Sequence, residues 1–225
     1  MKINQALLAA ITATCIALPG SWLAAQDKKE DGSTEVMKFV TPRDDTGKEW
    51  GGETIDLPPR FAPDMKVKGQ ELIRFAPGMF DAKSENFFSY IFAFSVEGED
   101  VTEEVIHDEM LVYYRGLAGS LLERKGIEVD TDKFTFEMEK SEKAESPSPA
   151  AGDNAVTQYQ GTLDWVEPFA TTKPQKLHFE LHAWTDPKVK RSYLVVGASP
   201  VPLEDDIEIW KLLREIRVKF AIDHK

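Results

Sequence analysis

Cysteine is nearly absent: Cys15 is the single one in 225 residues, and it lies inside an apolar run near the N-terminus. Without that run the chain has no thiol. Disulfides, a thiolate nucleophile and cysteine-ligated zinc are then excluded. Motifs that cradle phosphate or dinucleotide are also missing: neither GxGxxG nor GxxxxGK[ST] occurs. "GLAGSLLE" (116–123) contains Ser120 without the GxSxG elbow, and "VDTD" (129–132) lacks the glycine and terminal glutamate of an EF-hand loop. Positive charge is scarce, with 27 Lys and Arg against 39 Asp and Glu, a net charge of -12. Such a surface repels phosphate backbones and anionic lipid, so nucleic acid is not an expected partner.

Apolar residues make up 42% of the chain and aromatics 10%, enough for a real core. The first 25 residues read as a signal peptide: "MKINQ", then the apolar run "ALLAAITATCIAL" (6–18), then the breaker and small residues of "PGSWLAA". The run is short for a bilayer span, so cleavage after Ala25 is expected rather than an uncleaved anchor. Thr14 before Cys15 and "IALPG" after it depart from a lipidation signal. The mature protein is therefore expected to be exported, periplasmic or extracellular, with no transmembrane segment.

Residues 26–50 are polar and charged and read as a flexible lead-in with one short strand at "EVMKFV". Residues 51–225 read as a single α+β domain, with a mobile Pro-, Ala- and Ser-rich loop at 141–154. In "NFFSYIFAFSVE" (86–97) Phe88, Tyr90, Phe92, Phe94 and Val96 share one strand face, while Phe87, Ser89, Ile91, Ala93 and Ser95 share a partly covered one. A helix capped at Asp100 or Thr102 follows, with Ile106, Met110, Tyr113, Leu117 and Leu121 as its stripe and Gly126 as its end. Gly116 and Gly119 on that helix suggest close approach to a sheet. Strands are expected at 133–140, 156–167, 175–186 and 191–199. A C-terminal helix follows over 204–220, striped by Ile209, Leu212, Leu213, Ile216 and Phe220 and closed by Arg214, Arg217 and Lys219. The fold class is α+β: an antiparallel sheet of five to seven strands covered by a long central helix and a C-terminal helix. This order resembles the Mog1/PsbP-like folds, with the helix-grip lipid-binding folds as the alternative.

Two features are candidates for function. "RFAPDM" (60–65) and "RFAPGM" (74–79) repeat one phrase fourteen residues apart. Two copies cannot form a solenoid. They read as a strand terminus used twice, with Phe61 and Phe75 pinned to the core and Arg60 and Arg74 outward, satisfied by Asp64, Glu71 or Asp81. The alternative is a clamp, the two guanidiniums gripping one anionic ligand. The second feature is "HFELHAW" (178–184), where His178, Glu180 and His182 are zinc-type ligands. On a strand all three share a face, but the histidines stand about 13 Å apart, too far for one ion without a bend.

The expected function is an exported, non-enzymatic domain that binds a protein partner or small-molecule ligand in the cell envelope, with no cofactor. Two alternatives stand beside it: a hydrolase using a divalent metal at His178, Glu180 and His182, and a structural accessory of an envelope complex. A pocket of several hundred Å³ beneath the aromatic strand would favour a small ligand.

Overall fold

Alternation along the aromatic strand builds the centre of the molecule. In the computed structural model, which describes residues 35–44, 47–98, 101–142, 146–204 and 206–224, this strand is β4 (Tyr90–Glu97), buried on both faces. The expected signal peptide and Cys15 lie outside the described residues. β1 (Glu35–Lys38) precedes β2 (Gly51–Leu57) and β3 (Gly69–Phe75), and α1 (Glu103–Arg124) follows β4. Then come β5 (Thr135–Lys140), β6 (Thr157–Val166), β7 (Pro174–Asp186), β8 (Arg191–Ser199), α2 (Glu208–Val218) and β9 (Ala221–His224).

Seven strands form one antiparallel sheet in the order β2-β3-β4-β8-β7-β6-β5. Helix α1 connects β4, near the centre, to β5 at the far edge, and the second meander returns until β8 pairs with β4. The architecture is therefore α+β, as the order of elements indicates. The small sheet β1-β9 joins the lead-in to the C-terminus, with Val36 opposite Asp223. The short strand expected in "EVMKFV" is β1, and Phe39 and Trp50 of the same lead-in are buried.

Each helix covers one face of the sheet. On the α1 face, Tyr90, Phe92, Phe94 and Val96 meet Ile106, Met110, Tyr113, Tyr114, Ala118 and Leu122. The expected stripe drifts here: past Tyr113 the buried positions are Tyr114, Ala118 and Leu122, while Leu117 and Leu121 are half-buried. Steps of four from Ile106 shift the buried line by about 40° around the helix each time, so it leaves Leu117 and Leu121 at its flank. Ile91, Ala93, Tyr193 and Val195 form the other face with Ile209, Trp210, Leu213 and Ile216 of α2. That second face of β4 is wholly covered, not partly, because α2 lies across it.

Gly116 is tolerated for a specific reason. A Cβ there would lie 2.3 Å from the Phe61 carbonyl oxygen and 2.8 Å from the Ala62 Cβ, so α1 closely approaches the 60–65 turn rather than a strand. Gly119 has only an ordinary 3.6 Å contact with Thr131. β2 was not signalled by the sequence, because its two glycines and its acids, Glu53 and Asp56, suit an exposed edge. The connection at 141–154 is not uniformly loose either. Ser148 and Ala151 are buried, and the Ser148 hydroxyl donates to the Phe220 carbonyl at 3.1 Å.

Candidate functional site

Each copy of the repeated phrase closes a β-turn at its proline, with a different backbone at the third residue. The Met65 amide donates to the Ala62 carbonyl at 3.2 Å, and Met79 donates to Ala76 at 3.0 Å. Proline sits at the second position of each turn, where its fixed φ fits; Gly78 takes the left-handed φ of +85° at the third. The fully buried members are Ala62, Met65, Ala76 and Met79. Phe61 and Phe75 are half-buried rather than pinned inside: Phe61 meets Tyr113 edge-on at 5.0 Å, and Phe75 leans on Phe80 at 5.8 Å. Only the second copy ends a strand; the first lies in the β2–β3 connection. Arg60 is exposed beside α1. Arg74 alternates with Ile73, which faces α1, so its side chain lies on the opposite face, over Gly52, donating to the Ile73 carbonyl at 2.8 Å. Among the described residues neither arginine pairs with Asp64, Glu71 or Asp81.

His178, Glu180 and His182 do share one face of β7, the α2 face. Glu180 is committed elsewhere. It accepts from Arg214 Nε at 2.9 Å, from Arg214 Nη2 at 2.5 Å and from Arg217 Nη1 at 2.9 Å. Two of the basic residues that close the helix, Arg214 and Arg217, therefore also fasten α2 to the sheet. Among the described residues no group of three His, Cys, Asp or Glu side chains is placed to hold an ion. His182 is buried with its Nδ1 unpaired, and burial followed by the Arg217 charge pushes its imidazole down to about 3. His178 is half-buried and shifted down by desolvation and then by Lys176.

A second buried carboxyl lies on the α1 face. Glu71 is wholly enclosed, and among the described residues its oxygens meet only the Tyr113 hydroxyl, at 3.2 and 3.1 Å. Desolvation, against the weaker pull of that hydrogen bond and with repulsion from Glu53, pushes it up to about 8. The two groups predict the pH profile of stability. Glu71 binds its proton more tightly folded than unfolded, so its contribution is complete below pH 4.5 and is lost as pH rises to about 8. His182 resists protonation in the fold, so stability falls as pH drops from 6.5 toward 3. Each group contributes a slope of about 1.4 kcal/mol per pH unit, and the slopes cancel where they overlap. Chemical denaturation is expected to show a plateau between pH 4.5 and 6.5 with a fall on either side. Glu71→Gln should flatten the alkaline limb and His182→Gln the acid limb. An unchanged profile in both variants would refute the assignment.

The aromatic residues gather at the end of the sheet where β3, β6 and α1 finish. Phe80, 53% exposed, is a rare large apolar side chain in water among the described residues. It rests on Phe75 and, at 5.4 Å, on Phe169, which in turn meets Phe88 at 5.6 Å. Two rigid loops hold this platform. In 76–89, amides of Asp81, Ser84 and Phe87 close successive turns onto Gly78, Asp81 and Ser84, and the Asn86 amide group donates to the Pro77 carbonyl. In 167–173, the fully buried Glu167 accepts from the amides of Phe169, Ala170 and Thr171 and from the Thr171 hydroxyl. Lys125, just past α1, donates to the carbonyls of Pro168 and Phe169 at 2.6 and 2.7 Å. Sequence reasoning missed Glu167, Phe80 and Phe169. The available signal was an acid ahead of proline in "VEPFATT", a local carboxylate cap for following amides. Among the described residues no helix is long and apolar enough to cross a membrane. No protein-family model, curated protein or solved structure matches the chain.

Proposed function

We propose that this chain is an exported, non-enzymatic binding domain of the cell envelope, and that it docks a protein partner through the platform of Phe80, Phe75 and Phe169. The observation that carries the reading is an exposed aromatic side chain resting between two loops that hold their own internal hydrogen bonds. Interface energy concentrates in a few such anchors, and preorganised loops avoid the entropy cost of ordering on contact. The polar groups suited to chemistry point elsewhere: Glu180, Glu167 and Glu71 are each enclosed and engaged within the fold. The Mog1/PsbP-like chain order belongs to the same proposal, supported by the helix between two meanders and the closing helix α2.

Phe80→Ser should leave folding stability within about 1 kcal/mol, because the side chain is mostly in water. It should weaken partner binding by more than about 2 kcal/mol, roughly thirtyfold. The test is recovery of a partner from envelope extract with the mature chain, then affinity measured against wild type and Phe80→Ser. Equal affinity for the two would remove the platform from the interface.

A further inference from the structure

A sheet edge carries unpaired backbone groups that invite another strand, and the two edges of this sheet meet that problem differently. Side chains of α1 cap β5. The Arg115 guanidinium donates to the Phe134 carbonyl at 3.1 Å, and the His107 ring donates to the Phe136 carbonyl at 2.8 Å. β2, at the other edge, is hydrogen-bonded to β3 as its one neighbouring strand among the described residues. Gly51, Gly52, Thr54 and Asp56 are exposed along it. Lysine, proline and bulges, three usual guards of an edge, are missing: none of the first two occurs in 51–57, and all seven residues pair with β3 in unbroken register. β1 and β9 are each four residues long, and short edges take a second strand poorly.

The sequence of β2 also fits itself. Outward-facing backbone groups alternate along a strand, so an antiparallel pair of identical strands carries a residue on its two-fold axis. An axis through Glu53 or Asp56 sets two like charges opposite each other. An axis through Ile55 brings Pro58, which has no N–H, against Gly52. An axis through Thr54 uses all seven residues. Thr54 then meets Thr54 of the second copy, a favourable cross-strand pair. Gly51 meets Leu57, Gly52 meets Asp56 and Glu53 meets Ile55, with no like charges opposite.

This register also supplies a counter-ion. Arg74 stands opposite Gly52, and its guanidinium occupies the place that a Cβ would take there. Among the described residues it pairs with no carboxylate, donating only to the Ile73 carbonyl. Asp56 of the second copy would lie on the same face, just beyond Gly52. Two strand spacings, about 9.5 Å between Cα atoms, then separate it from Arg74, with no side chain between them. An arginine extended across glycine spans that gap, and its planar fork suits a carboxylate.

We propose that β2 is the docking edge for a second copy of this chain, the two strands pairing antiparallel about Thr54 with Arg74 of each copy bound to Asp56 of the other. Both chains are acidic, but at 0.15 M salt charges beyond about 8 Å are screened, which leaves the contacts at the joint in control. This edge is distinct from the Phe80 platform, and its test needs no other partner.

The mature chain from Gln26 has no cysteine, so one can be introduced alone. Thr54→Cys should give a disulfide-linked dimer under mild oxidation, because directly opposite residues fall within the roughly 4.4–6.8 Å between Cα atoms that a disulfide spans. Gln70→Cys, on the next strand in, should stay monomeric under the same oxidation. Sedimentation equilibrium of the wild-type chain at 0.15 M salt should show monomer and dimer in exchange below about 1 mM. Asp56→Asn should weaken the dimer at least tenfold, although it makes each chain less acidic. Arg74→Gln should weaken it as much, and the two changes together no more than either alone. A monomer at every concentration would overturn the proposal. So would a dimer that Thr54→Cys fails to lock, or one that Asp56→Asn tightens.

Discussion

Glu180→Gln is expected to cost about 3–5 kcal/mol of folding stability, the usual penalty for removing one partner of a buried ion pair. The carboxylate is shared by Arg214 and Arg217, and the Arg217 side chain is only 4% exposed. Glutamine keeps the shape but not the charge, so the guanidinium of Arg217 stays buried and loses the Glu180 carboxylate. Arg214, at 19% exposed, can still turn toward water. The loss therefore comes mainly from Arg217. Urea denaturation at pH 6 should show a lower midpoint with an unchanged slope. The double variant Glu180→Leu with Arg217→Met should recover most of the loss, because apolar replacement of a whole buried pair is often neutral. A single-variant cost under 1 kcal/mol would mean that apolar packing alone fastens α2.

Gly116→Ala is expected to destabilise the protein by about 1–3 kcal/mol, the range for overpacking. The same change in an open helix would gain about 1 kcal/mol. The sign reverses because the new methyl group would lie 2.3 Å from the Phe61 carbonyl oxygen and 2.9 Å from the Ala62 Cα. These are backbone atoms of a turn closed by the Ala62–Met65 hydrogen bond, so they cannot swing aside as a side-chain tip can. Gly119→Ala is the control. It lies three residues along the same helix with only a 3.6 Å contact, and it should gain toward 1 kcal/mol. Thermal denaturation of the two variants side by side should move their midpoints in opposite directions. Midpoints that both rise would show that α1 and the first turn are not in contact.

Local physics in the chain itself determined much of this protein. The period-two run Tyr90, Phe92, Phe94 and Val96 dictated a strand, although Phe88, expected on the same face, turns off before it at a φ of +49°; the alternating runs at 156–167, 175–186 and 191–199 dictated β6, β7 and β8 nearly to their ends. Thr102 and the acids after it marked the start of α1, since its side chain caps the Val105 amide. The repeated proline turn was legible as a device used twice, although its buried members were Ala and Met rather than Phe. Chain-local patterns carry such information because periodicity and capping involve residues within a few positions of one another. The partners of charged groups were not legible. Glu180 meets Arg214 and Arg217 across 34 and 37 residues, and Glu71 meets Tyr113 across 42. A histidine–glutamate–histidine strand face therefore read as ligands when its carboxylate was already taken. Phe80 and Phe169 become neighbours only because the β3–β4 and β6–β7 connections emerge at the same end of an antiparallel sheet. Side-chain chemistry is written in the sequence, but its neighbours are chosen by the strand order, and that order was decided only when both faces of the sheet were covered.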